Sequence, residues 1–571
     1  MQSLPSTHAD QSFKPKYWIL SFLALGILWL LALGFRHLLP SDEGRYAEIA
    51  REMLATGDWL TPKYNGYQYF EKPPLQMWAT ALAFKLFGLG EWQARLWSGL
   101  TSLLSIYMLI YTASKLYTPR LGFVSGLILL SSPLWFMAGH FNSLDMGVAS
   151  LMWCSLCGLM LAQHAPKSST PEASWMLFCW GSMALAVLSK GLIGIVLPGI
   201  VLFVYSVTSW DWHAWRRMHW IKGLLLFFSI CTPWFWMMSK THPAFFDFFF
   251  IHEHFERFTS NEHDRVGSWH FFIPLILVGL LPWLPQLFFG LLAAFKNRTL
   301  ISNEEKPATQ FKSLWMCLIW ALTIFIFFSL SHSKLPGYIL PIFPSLALLS
   351  GVGIEKIYRQ VNLNKRFSPW GLQVLFFITF FVIGYFALPQ VAQTGEVYEK
   401  TTYALYAKWI GVALTLGLIG MLVSWIYRKQ FVTSIIIYAL SFLGVSAIAG
   451  IGHESVGRLL SGFDVAMKAK PFVNYNQPLY SVILLEHTIP FYLEKNTTLV
   501  SFEDELAFGI KQEPHLWIPS VDEFLSIWND PKSSGALAMM IPQTYETFKE
   551  KHVPMKLIAQ DSLRVIVQKP N

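Results

Sequence analysis

Apolar runs of membrane-crossing length, parted by short polar segments, recur along most of this chain, and no other feature restricts its fold so severely. Inside hydrocarbon the backbone must satisfy its own hydrogen bonds, so long runs of this kind can only be helices. Candidate spans cover 17–39, 94–117, 121–139, 145–163, 175–189, 191–208, 221–239, 270–294, 313–330, 338–353, 369–388, 403–426 and 431–450, thirteen in all. Composition agrees, because 14% of the 571 residues are charged where soluble domains carry about 25%. The first run is too long for a cleaved leader and lacks a small-residue cleavage site, so it is expected to remain as an anchor. Cys154, Cys157, Cys179, Cys231 and Cys317 all fall in apolar runs, which points to packing rather than disulfides or a thiolate metal site.

A formal net charge of +8 would suit nucleic acid if the basic residues formed a patch, but they sit in short clusters between apolar runs. With the N-terminus cytoplasmic, every inside segment is basic. Those segments hold Lys14 and Lys16; Arg120; Lys167; Arg216, Arg217 and Lys222; Lys296, Arg298, Lys306 and Lys312; Lys356, Arg359, Lys365 and Arg366; and Arg428 and Lys429. The positive-inside rule therefore orients the chain. It leaves 40–93, 139–145, 189–191, 240–269, 331–338, 389–402 and the tail after 450 on the outer face. Nearly all carboxylates and histidines of chemical interest lie there, so an active site on that face is the economical reading.

The tail changes character. Strand-like runs at 479–484, 515–518 and 536–541 alternate with amphipathic stretches at 521–529 and 544–551. Segments 555–560 and 563–567 flank Asp561-Ser562 as a hairpin. A small α/β domain over 451–571, outside a membrane domain over 1–450, is the expected organisation. It has no glycine-rich phosphate loop and reads as accessory or gating.

The first outer loop is the most charged, with seven carboxylates and five basic residues from Asp42 to Glu91. After Asp42 and Glu43, the apolar residues Tyr46, Ile49, Ala50, Met53 and Leu54 recur at helical spacing, as in an amphipathic interfacial helix. The acids could be simply a favourable first turn. Alternatively Asp42 is functional, with Arg45 on the same face and suited to a phosphate. Glu71-Lys72-Pro73-Pro74 sets a carboxylate and an ammonium ahead of a stiffened backbone. In the 240–269 loop, His252-Glu253-His254 could bind a divalent metal with Glu71, or could belong to an aromatic interfacial helix with its polar groups in water. The pattern is not H-E-x-x-H, so no metalloprotease is indicated. Asn142, Asp145, Lys190 and the Lys334–Tyr338 turn lie at the mouths of spans, where ionisable groups are costly unless paired or used. Each alone could be a cap or a snorkelling side chain.

Four segments carry a family resemblance: Asp42-Glu43-x-Arg45-Tyr46-Ala47-Glu48, Tyr69-Phe70-Glu71-Lys72-Pro73, Glu253-His254 with Arg257-Phe258, and Lys334-Leu335-Pro336-x-Tyr338-Ile339-Leu340-Pro341. Together they resemble the GT-C membrane glycosyltransferases of the protein-mannosyltransferase superfamily, most closely the bacterial transferases that modify lipid A with aminoarabinose. The resemblance covers essentially the whole chain. It implies an α-helical integral membrane protein of the bacterial inner membrane, with about thirteen transmembrane helices and interfacial helices in the first periplasmic loop. A periplasmic C-terminal α/β domain completes that architecture. The implied donor is a sugar on undecaprenyl phosphate, such as 4-amino-4-deoxy-L-arabinose, and the implied acceptor is lipid A or another periplasmic group.

Roles follow from the same resemblance. Asp42 matches an essential first-loop aspartate, and Asp145 is a second catalytic candidate lining the cavity with Lys190. Arg45 and Lys72 match groups that engage the lipid phosphate, with Tyr69, Tyr338, Arg257 and Lys334 as further donor-binding positions. Glu71 and His254 match zinc ligands. His252 stands where the family more often has an apolar residue, as an added or substitute ligand. Pro74-Leu75-Gln76 also departs from the family pattern, which leaves the sugar open. Transfer to a protein hydroxyl or another glycan is an alternative. Transport of the lipid-linked sugar is disfavoured, because transporters place charges near mid-membrane and these span interiors are almost free of them.

Overall fold

The computed structural model describes residues 15–256, 267–295, 311–363, 369–393 and 399–570. Among them, eight helices are long and apolar enough to cross a membrane: Glu91–Leu116, Leu144–His164, Thr170–Lys190, Trp220–Thr241, Ser313–Leu330, Pro336–Lys356, Lys400–Ile426 and Phe431–Leu460. Two expected spans, 121–139 and 270–294, are each broken in two. Pro119–Leu130 meets Pro133–Gly139 at 69°, and Phe272–Gly279 meets Leu281–Phe295 at 75°. Each second segment begins with a proline in its first turn, Pro133 or Pro282. Proline has no N–H for the preceding turn and pushes the residue before it out of the α region. Shorter apolar helices cover Phe22–Gly34, Ile193–Ser209 and Phe381–Gln390. The five cysteines are free and buried.

The tail forms a six-stranded sheet of β3 (Leu479–Val482), β4 (Thr498–Val500), β5 (Trp517–Ile518), β6 (Leu537–Met540), β7 (Lys556–Gln560) and β8 (Val565–Gln568). The earlier strands β1 (Lys63–Tyr64) and β2 (Tyr67–Gln68) make a separate hairpin in the first outer loop. The large sheet runs β5-β4-β3-β6-β8-β7, parallel across its first four strands and closed by antiparallel β6-β8 and β8-β7 pairs. The expected hairpin is therefore present. β4, only three residues long, is the strand that periodicity does not reveal.

The first outer loop and the tail share one hydrophobic core. Tyr46, Ile49, Tyr64, Met77 and Phe84 from the loop pack with Val465, Leu479, Ile489, Phe491 and Leu506 from the tail. The Asp42–Thr56 helix, expected as an amphipathic interfacial helix, is covered on more than its apolar stripe. Its polar residues Glu43, Arg45, Glu48, Arg51 and Glu52 are buried along with its apolar stripe. The contact is close at Gly44, where an added methyl would overlap the His487 carbonyl. Because a backbone atom cannot rotate away, Gly44→Ala is expected to cost about 1–3 kcal/mol. The check is thermal unfolding of the purified protein, with the shared core loosened first.

Candidate active site

Glu43 is the anchor of the site. Its side chain is fully buried and accepts from Arg36 Nη1 at 2.5 Å, Arg95 Nε at 2.6 Å, the Leu39 N–H at 2.9 Å and the Asn142 N–H at 3.0 Å. Burial alone would raise its carboxyl, but Arg36 and Arg95 reverse this and hold it at about 2. Asn142 Nδ2 donates back to the Glu43 carbonyl at 3.3 Å, and Asn142 Oδ1 accepts from Gln76 Nε2 at 2.7 Å. One carboxylate thus fixes the entry to the Asp42–Thr56 helix against the Glu91–Leu116 helix and the turn that leads into Asp145.

That anchoring presents the next groups. Asp42 lies in the first turn, where the helix dipole favours a carboxylate, and its side chain is 34% exposed. Arg45 Nη1 stands 3.6 Å from it, and Arg45 Nη2 pairs at 2.6 Å with Glu505 of the tail. Burial opposes the guanidinium charge, but Tyr69, Glu505 and Asp42 more than restore it. Tyr69 OH donates to Glu71 at 3.4 Å. The Lys72 ammonium donates to the Glu71 carbonyl at 2.9 Å and lies 3.6 Å from its carboxylate. Glu71 and Arg45 both act on Glu505, whose carboxyl burial pushes above its usual range. Beside it, burial and then Arg45 lower His487 to about 3, so the ring is neutral and its Nδ1 meets the Tyr64 hydroxyl at 2.9 Å.

A second group adjoins the first. Gly191, at φ +86°, ends the Thr170–Lys190 helix immediately after Lys190. The Lys190 ammonium pairs with Asp145 and lies 4.6 Å above the Tyr338 ring. Asp42 is within Coulombic range of Lys190, which links the two groups. A methyl on Gly337 would overlap the Asp145 carboxylate. Gly337→Ala is accordingly expected to displace Asp145 from Lys190 and to lower turnover about tenfold or more, with little change in the melting temperature. Steady-state kinetics beside a thermal melt would test this.

Of the residues singled out from sequence, Asp42, Arg45, Tyr69, Glu71 and Lys72 gather in one group, and Asp145, Lys190 and Tyr338 in the other. Lys334 is directed elsewhere. Its ammonium donates to the carbonyls of Ser329 at 2.9 Å, Ser331 at 2.5 Å and Phe328 at 3.3 Å, closing the end of the Ser313–Leu330 helix. Arg257 and the side chains of His252 and His254 lie outside the described residues. Among the described residues no three His, Cys, Asp or Glu side chains converge as a metal site. Glu71 is the one expected ligand among the described residues. Sequence reasoning passed over Arg36, Glu43 and Arg95 as working parts, and Glu505 and His487 altogether.

The model for the Dolichyl-phosphate-mannose-protein mannosyltransferase family matches residues 71–237, and that for the Aminoarabinose transferase C-terminal domain matches 465–569. Undecaprenyl phosphate-alpha-4-amino-4-deoxy-L-arabinose arabinosyl transferase 2 of Proteus mirabilis is 31% identical over 76% of this chain and 75% of its own length. The chain belongs to the aminoarabinose arabinosyl transferase family. A relative of the same description from Pseudomonas aeruginosa is 29% identical over 70% of this chain and 75% of its own. Among solved structures, ArnT from Cupriavidus metallidurans bound to undecaprenyl phosphate superposes with a TM-score of 0.88, at 40% identity, over 97% of this chain and 98% of that one. The Archaeoglobus fulgidus oligosaccharyltransferase shares the fold at 14% identity and a TM-score of 0.51, over 93% of this chain and 70% of its own. This arabinosyl transferase chain is a multi-pass membrane glycosyltransferase with a C-terminal domain of helices and strands.

Proposed function

We propose that the chain transfers 4-amino-4-deoxy-L-arabinose from undecaprenyl phosphate to a lipid A phosphate at the periplasmic face of the inner membrane. The observation that carries this reading is the gathering of three cations, Arg45, Lys72 and Lys190, beside the carboxylates Asp42, Glu71 and Asp145 in a chain of this family. Eight long helices, two bent pairs and three shorter apolar helices among the described residues are compatible with thirteen crossings, and our reading sets the N-terminus in the cytoplasm and the tail outside. The basic inside segments support that orientation.

In the reaction, an acceptor oxygen forms a bond to C1 of the sugar while the C1–O bond to the lipid phosphate breaks. The bonding pair leaves with undecaprenyl phosphate. Positive charge grows on the sugar and negative charge on the departing phosphate. Arg45 and Lys72 face the second of these, and fixed cations in a partly dry site stabilise it without reorganising. A lipid A phosphate is already an anion and needs no base. Asp42 then balances the cationic sugar or orients the acceptor, with Asp145 held by Lys190 beside it. Transfer to a hydroxyl is the second reading, and there Asp42 would take the proton.

Mass spectrometry of lipid A from cells with and without the protein tests the acceptor. One added aminoarabinose per modified phosphate is expected, and an unchanged profile in cells that contain the protein would reject it. The family resemblance also supports a zinc ion held by Glu71 and His254, with His252, which departs from the family pattern, as an added or substitute ligand. Stoichiometric metal in the purified protein, lost in Glu71→Ala without a change in fold, is the expected result. Metal-free wild type would overturn it.

A further inference from the structure

Buried polar atoms in native proteins almost always have partners, and those that lack one call for an explanation. Among the described residues, Glu505 Oε1 is the one buried carboxylate oxygen with no hydrogen-bond donor, and Arg45 Nε is the one buried guanidinium nitrogen with no acceptor. The two belong to a single ion pair, joined through Glu505 Oε2 and Arg45 Nη2 at 2.6 Å. The pair therefore leaves an unused donor on its cationic half and an unused acceptor on its anionic half, in a place where leaving either empty is costly.

The neighbours do not fill the gap. His487 Nδ1 is 3.9 Å from Glu505 Oε1, is neutral, and is engaged by Tyr64. Asp42 faces the other guanidinium nitrogen, Nη1. Glu71, the next carboxylate, already has Tyr69 and Lys72 beside it. What fits an idle N–H and an idle carboxylate oxygen on the two halves of one ion pair is a ligand with an anion and a cation in one small frame.

The geometry points to Glu505, supplied by the C-terminal domain, as the residue that selects a cationic amino sugar, with its Oε1 accepting from the sugar ammonium while Arg45 holds the donor phosphate. This rests on the proposed transferase reading and adds to it the group that distinguishes an amino sugar from a neutral one. It also gives the C-terminal domain a part in substrate choice. A neutral sugar would leave Oε1 without a donor, and sites built around a buried polar group reject analogues that cannot pair with it.

The test is equilibrium binding to the purified full chain in lipid nanodiscs. The two probes are short-chain polyprenyl phosphates, one carrying 4-amino-4-deoxy-arabinose and one carrying its N-formyl derivative. Wild type is expected to bind the amino donor at least tenfold more tightly. In Glu505→Gln that ratio should fall below about threefold, and Glu505→Asp, which keeps the charge, should retain part of it. Thermal melts of the variants establish that each is folded. A ratio unchanged in Glu505→Gln, or an equal loss of both donors, would show that Glu505 only holds Arg45 and would overturn the inference. Binding of neither donor would overturn it together with the reading of the site. Retained preference for the amino donor without transfer to lipid A would reject the acceptor alone and uphold the role of Glu505.

Discussion

Asp42→Asn is expected to lower the rate of sugar transfer by about 100- to 10,000-fold, the range associated with losing a group that acts on the reacting atoms. Its fold should survive. Asp42 is 34% exposed and lies 3.6 Å from Arg45, a distance at which asparagine removes charge without opening a cavity. Arg45 keeps Glu505 as a counter-ion at 2.6 Å, so the substitution leaves no isolated buried cation. The measurement is single-turnover transfer from the lipid-linked donor by purified variant and wild type, with the melting temperature beside it. A variant that retained wild-type turnover would remove Asp42 from the chemistry. A loss confined to donor binding would assign it to substrate positioning instead.

The neighbouring residue should behave in the opposite way. Glu43→Ala removes the shared counter-ion of Arg36 and Arg95, both buried, and strips acceptors from two backbone N–H groups. Breaking a buried pair from one side costs about 3–5 kcal/mol, because the surviving charge stays out of water. Here two charges are stranded, so the upper end of that range is expected, seen as a lower melting temperature and as protein lost from the membrane. Acid titration offers an independent check. The folded carboxyl is held at about 2, below its ordinary 4.5. Its contribution is therefore complete above pH 4.5 and is lost as pH falls toward 2. Glu43→Gln should lack that loss, and its stability should fall less steeply than that of wild type across this interval. Two adjacent carboxylates thus separate cleanly, one affecting rate and the other folding.

Hydropathy and the distribution of lysine and arginine were enough to locate the long helices within a few residues, because a bilayer leaves few ways to bury an apolar run. They could not locate the breaks after Leu130 and Gly279. A proline in a greasy segment bends some helices and ends others, and the outcome depends on what packs against it. In the site, Asp42, Arg45, Glu71 and Lys72 were readable because charge in an apolar chain is conspicuous. Glu43 was equally conspicuous but was read only as a favourable first-turn acid. Its partners, Arg36 in the bend that precedes the helix and Arg95 on the Glu91–Leu116 helix, carry no local signature. Glu505 was hidden more deeply. It sits in an ordinary acidic stretch, Glu503-Asp504-Glu505, and only the fold shows which of the three reaches Arg45. The Lys334 motif shows the converse, since a lysine in a family pattern turned out to close a helix end.

The core shared by the first outer loop and the tail also sets a schedule for assembly. Tyr46 and Ile49 leave the ribosome more than four hundred residues before Leu479 and Ile489, with which they pack. At about 5–20 residues per second, that interval is about 20 to 90 seconds. Throughout it the Asp42–Thr56 helix has no cover for its apolar stripe and Arg45 has no Glu505. The reactive loop is therefore made first and completed last, and a nascent chain cannot hold a finished site before its tail has folded. For that interval the same loop is a natural handle for chaperones and proteases, so faults anywhere in the tail should surface as clearance of the whole enzyme rather than as a slow one.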